Sequence, residues 1–388
     1  MLAALKKLFR EWKSLKAFKR LSAKDRSIVI YSEGRGYWSY FEPIYVSLQA
    51  RHSQDVVYVT SAENDPLLLN PLPGMRAFYI GEGSVRTLFF ATLEADVLLM
   101  TMPDLQSFHI KRSPFSVHYV YVHHSIVSTH MIYRAAAFDH FDSILCVGPH
   151  HIDETRAREA AYGLKPKALI QHGYGRLDTL LKERSHALEG KDPGHPVQVL
   201  VAPTWGENGV LERHGIDVIH PLIEAGCRVI LRPHPRTRKL AAQKLEQIAE
   251  HYREEPLFSL DEDGDGRASL LSSDLMLSDW SGAALEFAFG LERPVIFVDV
   301  PRKVLNNDYP ALGLEPLEVQ VREQLGVVLS TDRLEQAGQL AHEMVQNSKK
   351  LRASICAARE RWIFNSGTSG EVAANYLISL VNGRGEGL

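Results

Sequence analysis

A chain of 388 residues is longer than one ordinary hydrophobic core accommodates and suits two domains of roughly 150 to 200 residues each. Its 45% hydrophobic and 23% charged residues exclude a disordered chain and predict a substantial buried core. The net charge of −3 excludes the basic overall surface that nucleic-acid binding requires, so any electrostatic targeting must be local.

Residues 1–26 differ from everything after them. Lys6, Lys7, Arg10, Lys13, Lys16, Lys19, Arg20, Lys24 and Arg26 stand against only Glu11 and Asp25, a local charge of +7. Met1, Leu5, Leu8, Trp12 and Leu15 recur at helical steps, which predicts a basic amphipathic helix able to lie on an anionic membrane surface. The plainer reading packs that stripe on the protein body. No run approaches the roughly 20 apolar residues that cross a bilayer, and no signal-peptide core opens the chain, so neither a span nor export is expected. Cys146, Cys227 and Cys356 are scattered without metal or disulfide spacing, which fits a reducing cytoplasm.

From Ser27 the texture alternates between strand and helix. Strands are predicted at Ser27–Ser32, Asp55–Thr60, Arg76–Ile80, Val97–Thr101, Ser116–Val122 and Ser143–Val147, which makes residues 27–181 one Rossmann-like domain around a mostly parallel sheet. The Gly- and Pro-bearing polar stretch 182–196 reads as a linker. A second α/β domain over 197–345 has strands at Val197–Ala202, Arg228–Arg232, Asp274–Ser278 and Val295–Val300, and an acidic turn at Asp261–Gly266. A long helix over roughly Asp332–Trp362 follows, and helices within 346–388 are expected to cross back to the first domain. Two such halves facing a central cleft are the sequence pattern of a GT-B fold. Gly34-Arg35-Gly36 lacks the third glycine of a dinucleotide fingerprint, so no NAD site is expected.

Four segments hold the residue types that chemistry needs. Ser278-Asp279-Trp280-Ser281-Gly282 lies between a buried strand and a helix, where free N–H groups and the helix dipole favour a phosphate, and Glu286 one to two turns on is placed to hold a ribose. Simple capping of the helix is the plainer reading. Arg232-Pro-His234-Pro-Arg236 puts two guanidiniums and an imidazole on a loop stiffened by prolines, which suits a diphosphate better than a plain basic turn would. His123, His124 and His130 follow a strand, where a near-neutral imidazole takes a proton from an attacking hydroxyl, unless these are core histidines. Gly173, Gly175 and Gly206 permit close backbone approach or a hinge. No carboxylate or Cys joins the histidines at ligand spacing, so no metal and no cofactor is expected.

In this order the segments resemble the CDP-glycerol glycerophosphotransferases, which build teichoic-acid-like polymers. The resemblance runs from about Ser32 to Tyr376. It rests on His123 or His124, Gly173–Asp178, Ala202–Trp205, Arg232–Pro235, Ser278–Ser281 and the loop Asn365–Gly370. It implies a GT-B architecture whose second domain binds a CDP-activated donor through Thr204, Arg232, Arg236, Ser278, Asp279, Ser281, Gly282 and Glu286. His123 or His124 would act as base and His234 would contact the transferred phosphate. Gly34, Arg35, Gly36, Arg176 and Asp178 would serve the acceptor or a hinge. The family's Trp-His-Gly is here Val122-His123-His124, and its second serine after Ser281 is Gly282.

The reading is a metal-independent transferase, peripheral on the inner face of the cell membrane, moving glycerol phosphate or a related phospho-alditol to a lipid-linked or polymer acceptor in cell-surface polymer synthesis. The alternatives are a GT-B glycosyltransferase or sugar-nucleotide epimerase using a UDP-sugar, and a non-catalytic binding protein recruited to the membrane.

Overall fold

The computed structural model describes residues 2–107, 110–184, 194–262 and 266–385. Met1 of the N-terminal stripe, residues 185–193 of the linker stretch and 263–265 of the acidic turn lie outside the described residues. The chain divides into two compact units, one made of residues 1–124, 133–178 and 363–388, the other of 125–132 and 179–362.

In the first unit, short runs of β-branched and aromatic residues form seven strands. These are β1 (Ile28–Ser32), β2 (Val56–Thr60), β3 (Met75–Tyr79), β4 (Val97–Met100), β5 (His118–Val122), β6 (Ser143–Cys146) and β7 (Ala168–Gln171). They pair in parallel in the order β3-β2-β1-β4-β5-β6-β7, with Val29 opposite both Val57 and Leu98. Side chains alternate between the faces. Val29, Tyr31, Val57, Val59, Leu98 and Met100 fill one core with Leu15, Phe18, Phe89 and Phe90. Ile28, Ile30, Val56, Tyr58, Val97 and Leu99 fill the other with Phe41, Ile44 and Leu48 from the helix Trp38–His52 and Ala373, Ala374 and Leu377 from the helix Ser369–Gly385. Burial on both faces explains why these strands read as unbroken apolar runs.

The helix Leu2–Lys19 divides its apolar residues between two sides. Leu15 and Phe18 are buried, whereas Leu5, Leu8, Phe9 and Trp12 remain exposed. On the buried side, the Ser14 hydroxyl accepts a hydrogen bond from the Tyr79 N–H of edge strand β3 at 2.9 Å, and Arg10 pairs with Glu63 at 3.0 Å. Body packing and an outward apolar stripe therefore coexist on one helix.

The second unit holds β8 (Gln198–Val201), β9 (Arg228–Leu231), β10 (Phe258–Leu260), β11 (Leu275–Ser278), β12 (Val295–Val298) and β13 (Gly326–Leu329), parallel in the order β10-β9-β8-β11-β12-β13. Val199, Val201, Val229, Leu231, Leu275 and Leu277 pack with Leu211, Val218 and Leu222 of the helix Val210–Glu224. The long helix expected over Asp332–Trp362 is instead three pieces, a 3₁₀ turn Thr331–Gln336 and the helices Ala337–Gln346 and Ser348–Trp362. Arg333 leaves helical geometry at φ −130° in the first of them, which its charged sequence does not signal.

Strand order reverses beside β1 in one sheet and beside β8 in the other. At such switch points the loops leaving the strands diverge and open a crevice at the carboxyl ends. The loops after β1, β4 and β5, and those after β8, β9 and β11, are therefore where ligand groups belong in each unit.

Gly173 shows where the backbone tolerates no side chain. Its φ is +101°, its N–H bonds to the Cys146 carbonyl at 3.0 Å, and a Cβ would lie 2.3 Å from the Phe364 carbonyl oxygen. Gly173→Ala is expected to cost roughly 1 to 3 kcal/mol in chemical denaturation. Gly36→Ala, where a Cβ meets nothing within 4 Å, should stay within about 0.5 kcal/mol. Equal stability of the two variants would contradict this account.

Candidate functional site

At the carboxyl edge of the first sheet, two adjacent histidines occupy opposite environments. His123 is 3% exposed and stacks on His151 with ring centroids 3.8 Å apart. Among the described residues neither of its ring nitrogens has a hydrogen-bond partner, and burial holds its pKa well below the ordinary value. His124 is half-buried, with Tyr37, Tyr40 and Tyr133 around its ring at centroid distances of 5.8, 6.2 and 5.9 Å. Its Nδ1 lies 3.1 Å from the Thr101 carbonyl oxygen. A carbonyl only accepts, so Nδ1 bears the proton and Nε2 holds a lone pair, 3.3 Å from the Tyr133 hydroxyl. Burial lowers the pKa of His124 to about 4, leaving Nε2 unprotonated at neutral pH.

Gly34, Arg35 and Gly36 form the turn after β1, with Arg35 and Gly36 exposed, and this turn delivers Tyr37 to the His124 ring. Glu33, just before it, is raised to about 7 by burial. Arg176 and Asp178 lie on the helix Gly175–Glu183. Asp178 is buried and accepts from the Gly367 N–H at 2.7 Å and from the Ser369 N–H and hydroxyl at 2.8 and 2.7 Å. Its carboxylate thus caps the C-terminal helix.

In the second unit, Asp279 organises the switch point. Its buried carboxylate accepts from the Thr204 N–H at 2.7 Å and the Val210 N–H at 3.3 Å, tying the loop after β8 to the loop after β11. Burial raises its pKa to about 6. The Ser278 hydroxyl donates to the Ala202 carbonyl at 2.8 Å, which commits its proton to the backbone. Ser281 caps the helix Gly282–Leu291 by accepting from the Ala283 N–H at 3.3 Å, so its own O–H remains available to a ligand. Glu286 is buried within that helix at 7% exposure.

The loop after β9 contributes Arg232, His234 and Arg236. Arg232 donates to the Gly266 carbonyl at 2.7 Å. The Arg236 N–H donates to His234 Nδ1 at 3.1 Å, so Nδ1 is the acceptor and Nε2 carries the proton. Burial, helped by the charges of Lys303, Arg236 and Arg232, lowers His234 to about 4. Trp205 has the Arg236 guanidinium 4.4 Å and the Lys303 ammonium 3.9 Å from its ring centre. Lys303 also donates to the Thr204 hydroxyl at 2.8 Å. The candidate residues thus gather as two groups, one in each unit. Neutral rings and hydroxyls surround His124, and cations surround His234.

A family model described as CDP-Glycerol:Poly(glycerophosphate) glycerophosphotransferase matches residues 14–303. The chain belongs to this family. Among solved structures it is similar to the wall teichoic acid polymerase TagF soaked with CDPG, at 14% identity and TM-score 0.58, covering 99% of this chain and 95% of that one. It is also similar to the UDP-GlcNAc 2-epimerase of Methanocaldococcus jannaschii, crystallised with UDP-GlcNAc and UDP, at 14% identity and TM-score 0.56, covering 91% and 99%. The S. aureus MnaA–UDP structure aligns at 13% identity and TM-score 0.60, covering 92% and 96%. These likenesses establish the GT-B-like fold. A comparison with curated proteins finds no match.

A Cβ at Gly282 would lie 2.5 Å from the hydroxyl oxygen of Ser125, in the segment 125–132, so a side chain there requires the Ser125 hydroxyl to turn aside. That segment is held by the Ser128 N–H on Glu318 at 3.1 Å, the Leu317 N–H on the Ser128 hydroxyl at 2.6 Å, and the Asn306 side chain on the His130 carbonyl at 2.9 Å. His130, third of the sequence histidines, sits here in the second unit with Nε2 on the Leu314 carbonyl at 3.1 Å. Sequence reasoning missed Glu33, Tyr133 and Lys303, since lone residues of these types carry no motif.

The depressed imidazoles make stability depend on pH. His124, His172 and His234 titrate near 4 in the folded chain, against an ordinary 6.5. These imidazoles therefore bind more protons in the unfolded chain between those values, and their contribution to stability falls as pH drops from 6.5 towards 4, by about 1.4 kcal/mol per pH unit for each excess proton. The raised carboxyls of Glu11, Glu33, Asp104 and Asp279 act in the opposite sense and offset part of this loss. His172→Leu should flatten the urea-unfolding slope in this range by up to about one proton. An unchanged slope would count against a neutral buried imidazole at 172.

Proposed function

We propose that this chain transfers glycerol phosphate, or a closely related phospho-alditol, from a CDP-activated donor to a hydroxyl of a membrane-associated acceptor in cell-surface polymer synthesis. Family membership supports a CDP-activated donor, and the observation that carries the reading is the pair of opposite tautomers. His124 offers a lone pair at Nε2 and His234 offers a proton at Nε2, each fixed by a backbone group. A base needs the first and a phosphoryl ligand the second.

In this mechanism His124 Nε2 removes the acceptor's hydroxyl proton as the oxygen attacks the donor's β-phosphorus. A new O–P bond forms there. The bond from that phosphorus to the bridging oxygen breaks, and its electron pair leaves with CMP. His234 Nε2–H, the Ser281 hydroxyl, Arg236 and the free N–H groups at the start of the helix Gly282–Leu291 stabilise the charge that builds on the phosphoryl oxygens and leaving group. His124 lies among aromatic rings and hydroxyls, which suits an uncharged alcohol better than a phosphate. Of the two adjacent histidines, His124 is assigned as base because stacked His123 is almost fully enclosed.

The assay is CMP release from CDP-glycerol with an acceptor, run beside UDP-sugars. His124→Ala is expected to lower kcat by 10² to 10⁴ with donor affinity little changed, while His123→Ala acts mainly on thermal stability. UDP release without CMP would replace this reading with a UDP-sugar enzyme. Turnover that survives both substitutions would favour a non-catalytic role for the histidines.

Membrane attachment is proposed through the helix Leu2–Lys19. Leu5, Leu8, Phe9 and Trp12, with Lys6, Lys13, Lys16 and Arg20, line an outward groove of about 850 Å³. Apolar side chains ringed by lysines match the headgroup boundary of an anionic bilayer. No helix among the described residues is long and apolar enough to cross a membrane. Combined Leu5→Ser, Phe9→Ser and Trp12→Ser should release the protein from anionic vesicles while leaving its thermal midpoint nearly unchanged, because Leu15 and Phe18 hold the helix down. Undiminished vesicle binding would refute the attachment.

A further inference from the structure

Lys303 stands out as a largely enclosed ammonium with no carboxylate within ion-pair distance among the described residues. Its hydrogen bond goes to the neutral Thr204 hydroxyl at 2.8 Å, and its charge rests 3.9 Å from the Trp205 ring centre. A second cation, Arg236, lies over the same ring at 4.4 Å. Placing two positive groups on one indole, with His234 at a centroid distance of 6.1 Å, is unfavourable without an anion to divide between them. Asp279 and Glu212 are the carboxylates that act on Lys303, and neither lies within ion-pair distance of it. Asp279 is occupied by the Thr204 and Val210 N–H groups, and Glu212 accepts from the Gly206 N–H and the Thr237 hydroxyl at 3.3 and 3.2 Å. Thr204 itself is held by Asp279, so the ammonium is anchored to the switch-point loops at fixed geometry.

We propose that Lys303 is a donor-binding residue that, with Arg236 on the same Trp205 ring, grips the diphosphate of a nucleoside diphosphate donor. This rests on the phosphotransfer reading above and adds a ligand from the loop after β12, which no motif marked. A point charge and a planar guanidinium divide the work. Arg236 offers a fork to two oxygens, and Lys303 follows charge as it shifts to the leaving nucleotide.

Calorimetric titration of the full chain with CDP and with UDP tests this. Lys303→Gln should weaken CDP binding about tenfold or more, the scale of one lost charge-assisted hydrogen bond. Lys303→Arg should recover most of it. Burial and the charge of Arg236 hold Lys303 near pKa 8, so wild-type CDP affinity should decline as pH rises through 8 to 9.5. That decline should vanish in Lys303→Arg, a change that loss of a purely structural contact would not produce. CDP affinity in Lys303→Gln within twofold of wild type, or an identical pH profile in Lys303→Arg, overturns the assignment and leaves the phosphotransfer reading standing. A wild-type chain that binds neither CDP nor UDP overturns both.

Discussion

A parallel strand leaves its sheet carrying unspent backbone groups, and where neighbouring strands turn in opposite directions nothing of the sheet itself satisfies them. Both units of this chain are built around that gap. In the second unit Asp279 answers it by taking the N–H groups of Thr204 and Val210, and Lys303 is placed through Thr204. In the first unit the Thr101 carbonyl answers it by fixing the His124 ring. The tautomer of each candidate imidazole is set by which backbone group it meets.

That view sorts the residues of the conspicuous motifs by what their atoms are free to do. Ser278 and Asp279 belong to the most recognisable segment, yet their hydrogen-bonding capacity is taken up by the Ala202 carbonyl and the Thr204 and Val210 amides. Asp178 likewise spends its oxygens on the start of the C-terminal helix. Ser281 and His234 cap helices with one atom and leave their hydroxyl and Nε2 uncommitted by that cap. Structural groups and candidate ligand groups are interleaved along the same few residues.

The architecture was legible from sequence because strands buried on both faces must be apolar throughout, and runs such as Ile28–Tyr31 and Leu275–Leu277 admit few other readings. Short β7 and β10, whose residues are only partly buried, left weaker traces. Motif segments were visible for the same reason as the strands, since Gly, Pro, Ser and Arg crowd where a strand gives way to a loop. The difference between His123 and His124 was not legible. It depends on His151, twenty-eight residues away, stacking on one ring, and on a carbonyl at residue 101 reaching the other. Lys303 was invisible for a similar reason, as its partners Thr204 and Trp205 lie about a hundred residues earlier.

The Ser14 hydroxyl on the Tyr79 amide has an implication for how the chain can be handled and how it can change. An outermost strand with bare amides is a template on which another polypeptide can add, and here the leading helix occupies it while supplying Leu15 and Phe18 to the interior. The helix serves as a bung for that edge. A shortened recombinant version starting near Ser27 would trade one sticky surface for another, and drift in this segment is tolerable on its lysine side but not on the side that faces the sheet.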